Sequence, residues 1–247
     1  MDRGVFLSGG RMSGFPTTCW SQVAAARATT GPEARAALES LCAAYWFPLY
    51  AFVRRKGHGT EAALDLTQEY FARLLERGTI AAADATRGRF RTFLLADCTR
   101  FLADRRAHDG AAKRGGGVPP LSIDARDAEG RYVHEPADDR TPEHLFERDW
   151  AIAMLDAVLS RLRAEYEATG RGVVFDALKV ALDDGGRATP HAELAARLGS
   201  TAGAVQVAIH RLRRRYRELV RDAIAATVAE PGDVDDEIRG LFLALGR

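Results

Sequence analysis

The segment that most restricts what this chain can fold into runs from Thr189 to Arg221, TPHAELAARLGSTAGAVQVAIHRLRRRYRELVR. Its spacing predicts two helices joined by a tight turn, the second carrying a dense run of arginines. Thr189 can cap the first helix, and Pro190 suits its first position because the N–H it lacks would be unpaired there. Glu193 falls near the positive end of that helix's dipole. Gly199 stops the helix, and Ser200 or Thr201 caps the next. Ala195, Gly199 and Val205 fall at the spacing of a helix-turn-helix: a small residue where the helices cross, glycine in the turn, an apolar anchor on the second helix.

The 3.6-residue period divides the second helix into two faces. Val205, Ile209, Leu212, Tyr216 and Leu219 form an apolar stripe. The opposite face gathers Gly203, Gln206, Val207, His210, Arg211, Arg214, Arg217 and Arg221. Those residues match what a DNA groove offers: cations for phosphate, Gln and Arg for base edges, and an apolar Val for a thymine methyl. The surface expected to meet DNA is Thr201, Gly203, Gln206, Val207, His210, Arg211, Arg213, Arg214 and Arg217. An Arg-rich helix by itself is more often a solvated face; turn, cap and face together favour DNA.

A length of 247 residues allows one large domain or two small ones, and the net charge of only +1 argues against coating nucleic acid by charge alone. The charge is segregated, however. Arg100 to Arg114 and Arg211 to Arg221 are basic, whereas Asp124 to Asp149 and Asp222 to Glu237 are acid-rich, the pattern of nucleic-acid faces separated by solvated connectors. Cys19, Cys42 and Cys98 lack CxxC spacing and read as reduced, mostly buried thiols. No apolar run approaches a membrane span and no signal-peptide core opens the chain, so a soluble, cytoplasmic protein without membrane contact is expected.

Residues 1–16, rich in Gly and Ser, read as a disordered segment; residues 1–11 have no periodicity or cap, so either Met12 is the native start or those residues are disordered. A short amphipathic helix follows, with Trp20, Val23, Ala24 and Arg27 after a Thr17–Thr18 cap. From Pro32 to about Arg55, Leu38, Cys42, Tyr45, Leu49 and Phe52 share a face, with a kink or break expected near Phe47 because of Pro48. After Gly57-His58-Gly59, Thr60 caps a helix to about Arg77 that turns Leu64, Phe71, Leu74 and Leu75 inward and Asp65, Glu69 and Arg73 outward. The next helix, about Arg89 to His108, is expected to bury Phe90, Leu94, Cys98 and Phe101. The Gly- and Pro-rich opening at Gly115–Pro120 begins a polar, acidic stretch with no sustained period, read as a linker. Helices resume from about Pro142 to Ala168, with Ile152, Leu155, Leu159, Leu162 and Tyr166 in a stripe, and from about Val173 to Leu182 before the helix-turn-helix. A last apolar face of Val234, Ile238, Leu241, Phe242 and Leu245 is expected to dock on one of the domains or on a regulator. No segment is strand-rich. The expected architecture is all-α, with helical domains at 17–110 and 142–227, a flexible linker at 111–141 that lengthens in the working state, and a tail at 228–247 with a short amphipathic helix.

These halves together resemble a bacterial RNA polymerase sigma factor of the extracytoplasmic-function group. LDLTQEYFARLLE (Leu64–Glu76) is similar to the family's helix that grips the polymerase clamp, and GRFRTFLLADCTRFLADRRAH (Gly88–His108) to the helix that reads and opens the −10 promoter element. The helix-turn-helix matches the part that reads the −35 element. The resemblance covers roughly residues 17–109 and 142–225. It implies core RNA polymerase and promoter DNA as partners, with an anti-sigma factor or kinase as a restraint. It assigns polymerase binding to Asp65, Gln68 and Glu69, and −10 binding to Arg87, Arg89, Arg91, Arg100, Asp104, Arg105 and Arg106. The loop Arg77–Gly88 stands where the family captures a flipped-out base. The family usually has Asn where Arg100 stands, and often Lys and Arg where Gln206 and Ala208 stand. Those replacements shift phosphate contacts towards Arg211, Arg213 and Arg214.

Catalysis is not expected. His58, His108, His134, His144, His191 and His210 show no metal spacing, and Gly115–Gly117 lacks the Lys-Ser/Thr of a phosphate loop. No cofactor or metal is therefore expected. The other reading of the helix-turn-helix is a DNA-binding regulator that acts without polymerase, which leaves the first half without a role. A third is a sigma-like protein that binds polymerase but cannot open promoters.

Overall fold

The computed structural model describes residues 32–76, 89–109, 129–132, 140–183, 190–228 and 230–246. The expected start at Met12, the helix after Thr17–Thr18, the loop 77–88 with Arg87, and most of the acidic connector lie outside them. In chain order the helices are α1 (Pro32–Arg55), α2 (Thr60–Glu76), α3 (Phe90–Asp109), α4 (Pro142–Ala168), α5 (Gly172–Leu178), α6 (Val180–Asp183), α7 (His191–Arg197), α8 (Ala202–Ala225) and α9 (Val234–Ala244). The fold is all-α, with no strand among the described residues. None of these helices is long and apolar enough to cross a membrane.

The chain divides into two compact units. The smaller is described over Asp156–Val220; the larger takes the described residues of Pro16–Leu155 together with Arg221–Arg247. The divisions fall inside α4 and α8, so residues 142–155, expected with the second domain, group with the first half of the chain.

In the larger unit, Tyr45, Leu49 and Phe52 of α1 are buried as their spacing requires, joined by Tyr50 and Val53. Pro48 does not break α1, which runs through it, although it offers the preceding turn no N–H. Ala63, Thr67, Tyr70, Phe71 and Leu74 form the inward face of α2, and Phe90, Leu94, Cys98 and Phe101 that of α3. The Thr67 hydroxyl is satisfied by the Ala63 carbonyl at 2.6 Å and the Tyr70 hydroxyl by the Leu94 carbonyl at 3.1 Å. Burial pushes the Cys98 thiol up to about 12, which leaves it an inert packing group.

The stripe expected on α4 is displaced. Ile152 is 39% exposed, and the buried residues are Leu145, Phe146, Trp150, Ala151, Met154, Ala157, Val158 and Leu162. The two aromatic rings offer far more apolar area than Ile152 does, and they set the helix's rotation. Phe146 meets Phe52 edge-on, with ring centroids 6.3 Å apart. Arg55 reaches the buried Asp149 at 2.6 Å, and Lys56 reaches Glu143 at 2.7 Å.

The described part of the expected linker is not free. Residues 129–132 form one helical turn against α1. Arg54 donates to both carboxylate oxygens of Glu129, at 3.2 and 2.9 Å, and the Tyr50 hydroxyl donates to the same group. The Arg131 guanidinium lies 3.9 Å from the Phe47 ring centroid, and Arg54 lies 4.8 Å from that of Tyr132. Charge and ring partners on α1, invisible to periodicity, hold this turn in place.

Candidate nucleic-acid interface

The smaller unit contains the helix-turn-helix. α7 begins at His191 with Pro190 as its N-cap residue and no side-chain cap bond. It ends at Gly199, whose φ of +58° closes the turn. The Ser200 N–H bonds the Ala195 carbonyl at 2.9 Å and the Gly199 N–H bonds the Ala196 carbonyl at 3.4 Å, the paired bonds of a Schellman cap. Of the two possible caps for α8, Thr201 acts: its hydroxyl accepts the Ala204 N–H at 3.2 Å.

Along α8, Val205, Ile209, Leu212 and Leu219 are buried, as are Leu194 and Ala195 of α7. Thr201, Gly203, Gln206, Val207, His210, Arg211, Arg213, Arg214 and Arg217 are all exposed. The two faces therefore fall where the 3.6 period places them. Two arginines fix the helix rather than extend from it. Arg213 donates twice to the Ala181 carbonyl, at 3.0 and 2.8 Å. Arg215, absent from the expected set, forms a bidentate pair with Glu165 of α4 at 2.9 and 2.7 Å. The Arg215 hydrogen bond holds the Glu165 carboxyl below the usual range. Arg214 stands 3.6 Å from Glu218 one turn on, an exposed pair that a phosphate can replace.

Gln206, His210, Arg213 and Arg217 line one open groove of about 600 Å³ with His191, Leu182, Ile209 and Tyr216. His191 thus adds a polar group from α7 beside the α8 set. Its only sequence signal is its place as the first residue of the supporting helix.

The remaining candidates lie in the larger unit. Asp65 on α2 is exposed and Gln68 half-buried beside it. Glu69 pairs with Arg105 of α3, and Arg73 stands 3.9 Å from Asp104. The outer stripe of α2 is thus tied to the next helix rather than along its own. On α3, Arg100 is 67% exposed with a distant contact to Asp97 at 3.4 Å. Asp104 is exposed one turn on from Arg100, Arg105 turns to Glu69, and Arg106, also exposed, donates to the Lys56 carbonyl at 3.1 Å.

Arg91, expected among the −10 contacts, lies in the core instead. It is 2% exposed, bonded to Glu147 and Glu237, and its guanidinium lies 4.0 Å from the Trp150 ring centroid. Burial opposes its charge, and the two carboxylates more than reverse that effect, raising its pKa. No phosphate reaches it; it is a core cation. Arg89, two residues earlier, is 42% exposed and also paired with Glu237.

Comparison with protein-family models, with curated proteins and with solved structures finds no match for this chain.

Proposed function

We propose that this chain is a sigma factor of the extracytoplasmic-function type, acting in the cytoplasm with core RNA polymerase and promoter DNA as partners. The observation that carries the reading is α8: a helix anchored by Arg213 and Arg215 that presents Gln206, Val207, His210, Arg211, Arg214 and Arg217 outward. From Thr201 to Arg217 it extends about 24 Å, long enough to lie in a major groove with its N-terminal residues at base edges. That helix alone serves any helix-turn-helix protein. The sigma reading adds the likeness of Leu64–Glu76 and Gly88–His108 to the clamp-binding and −10-reading helices.

In this reading Asp65, Gln68 and Glu69 meet a basic helix of the polymerase, where charge-assisted bonds form. Arg100, Arg105 and Arg106 hold phosphates of the −10 strand, and Asp104 stands among them. The protein opens DNA by binding unpaired bases as they separate, and RNA synthesis belongs to the partner. Co-elution with core polymerase tests this: a one-to-one complex is expected. Operator binding without a polymerase complex would instead identify a regulator that uses α7 and α8 alone.

A further inference from the structure

We propose that α9 is an internal competitor for DNA at the start of α3, with the Glu237 carboxylate occupying the position of a backbone phosphate on Arg89; this rests on the assignment of α3 to promoter binding. Glu237 is 1% exposed on an 11-residue helix whose Asp235 and Asp236 face outward. The first turn of α3 contains no acidic residue. Arg89 and Arg91, near the positive end of the helix dipole, favour an anion there. The anion present is Glu237.

Its two contacts differ. Arg91 Nη1 bonds Glu237 Oε1 in the interior, and Glu147 and Trp150 hold Arg91 there independently of the tail. Arg89 Nε stands 2.5 Å from Oε2, near enough for an ion pair. Oε2 nevertheless has no aligned hydrogen bond, so the grip on Arg89 is the looser of the two. Gly240 faces the guanidinium: a Cβ there would be in ordinary contact, 3.4 Å from its Nη2 and 3.7 Å from its Nη1, so a larger side chain would crowd Arg89. With 42% of its side chain exposed, Arg89 lies at the border between tail and solvent, the one cation of this pair that a phosphate can reach.

The tail's hold is also modest. α9 buries Val234 and Leu241 but leaves Phe242 and Leu243 at 45% and 74% exposure. Among the described residues its further ties include Arg221 to Asp235 at 2.6 Å and Arg140 to the Ala244 carbonyl at 3.3 Å, both at the surface. A helix of this length has little stability once undocked. A phosphate on Arg89 therefore has to displace the Glu237 carboxylate from it, while the buried Arg91–Glu237 contact remains.

The test uses the full chain and a fluorescent oligothymidylate, whose phosphates are bound without base preference. Glu237→Gln removes the competing charge; Gly240→Leu displaces Arg89 while the buried Arg91–Glu237 pair is kept. Each is expected to bind about five- to tenfold more tightly at low salt, the scale of one added charge-assisted contact. Arg89→Gln in either background should erase the gain. In the wild type, saturating oligothymidylate should weaken hydrogen-exchange protection of the α9 amides, because docking then loses its contact with Arg89. The inference is overturned if a folded variant binds as the wild type does, or if α9 protection is unchanged with DNA bound. Polymerase co-elution separates the two failures: a wild-type complex beside unchanged variants overturns the tail inference alone, whereas no DNA binding by any form and no complex overturns both.

Discussion

Glu69 of α2 and Arg105 of α3 are paired in the free protein, each about two-fifths exposed, although the sigma reading gives them different ligands, polymerase for one and promoter DNA for the other. An exposed pair of this kind is worth roughly 0–1 kcal/mol, so either ligand can replace it. Glu69→Gln should change the urea midpoint only slightly. It should weaken core polymerase binding by about tenfold or more, as expected for a charged contact at an interface. Equal small losses in both measurements would remove Glu69 from the clamp face.

Arg91 and Arg100 should separate by stability. Arg91→Ala leaves the buried Glu237 short of its main partner and should cost about 3–5 kcal/mol. Arg100→Ala should fall within about 0.5 kcal/mol and act only on DNA binding. Urea melts of both variants check this, and a neutral Arg91→Ala would contradict the core role.

These two arginines show what the sequence can and cannot display. Arg91 sits among arginines on a helix and reads as a phosphate contact; its partners Glu147 and Glu237 are 56 and 146 residues away. Nothing local announces them. The faces of α8 are legible because Val205, Ile209, Leu212 and Leu219 keep one uninterrupted period and Gly199 marks the turn. On α4 both Ile152 and Trp150 suit an apolar stripe, and the choice is made by Phe52 on another helix. The tail's apolar pattern correctly signals docking through Val234 and Leu241, but Phe242 faces outward because the buried Glu237 fixes the helix's rotation.

Gly199 and Gly203 should respond oppositely to alanine. Gly199 has positive φ, and Gly199→Ala should cost about 1–2 kcal/mol. Gly203 lies within α8, and a Cβ there meets nothing within 4 Å, so Gly203→Ala should stabilise by roughly 0.5–1 kcal/mol. If Gly203 faces DNA, the same change should weaken promoter binding despite the gain. Thermal melts and DNA titration of both variants would show it.

The Glu165–Arg215 pair gives the smaller unit an acid-sensitive tie. Arg215 lowers the Glu165 pKa in the folded state. Its contribution is therefore complete above the unfolded glutamate pKa of about 4.3 and is lost as pH falls through the lower folded value. Both groups are over a third exposed, so solvent screening keeps the effect small. Relative to Arg215→Met, the wild type should lose its stability advantage below about pH 4.3. A pH-independent difference between the two melts would mean that packing, not charge, holds α8 to α4.

Run-off transcription from genomic fragments by core polymerase, with and without this chain, tests the central claim most directly. Discrete transcripts should appear only when the chain is added, and the variant carrying Asp65→Arg with Glu69→Arg should fold yet give none. The account is contradicted if the wild type adds no transcript, and the clamp face is contradicted if the double variant transcribes as well as the wild type.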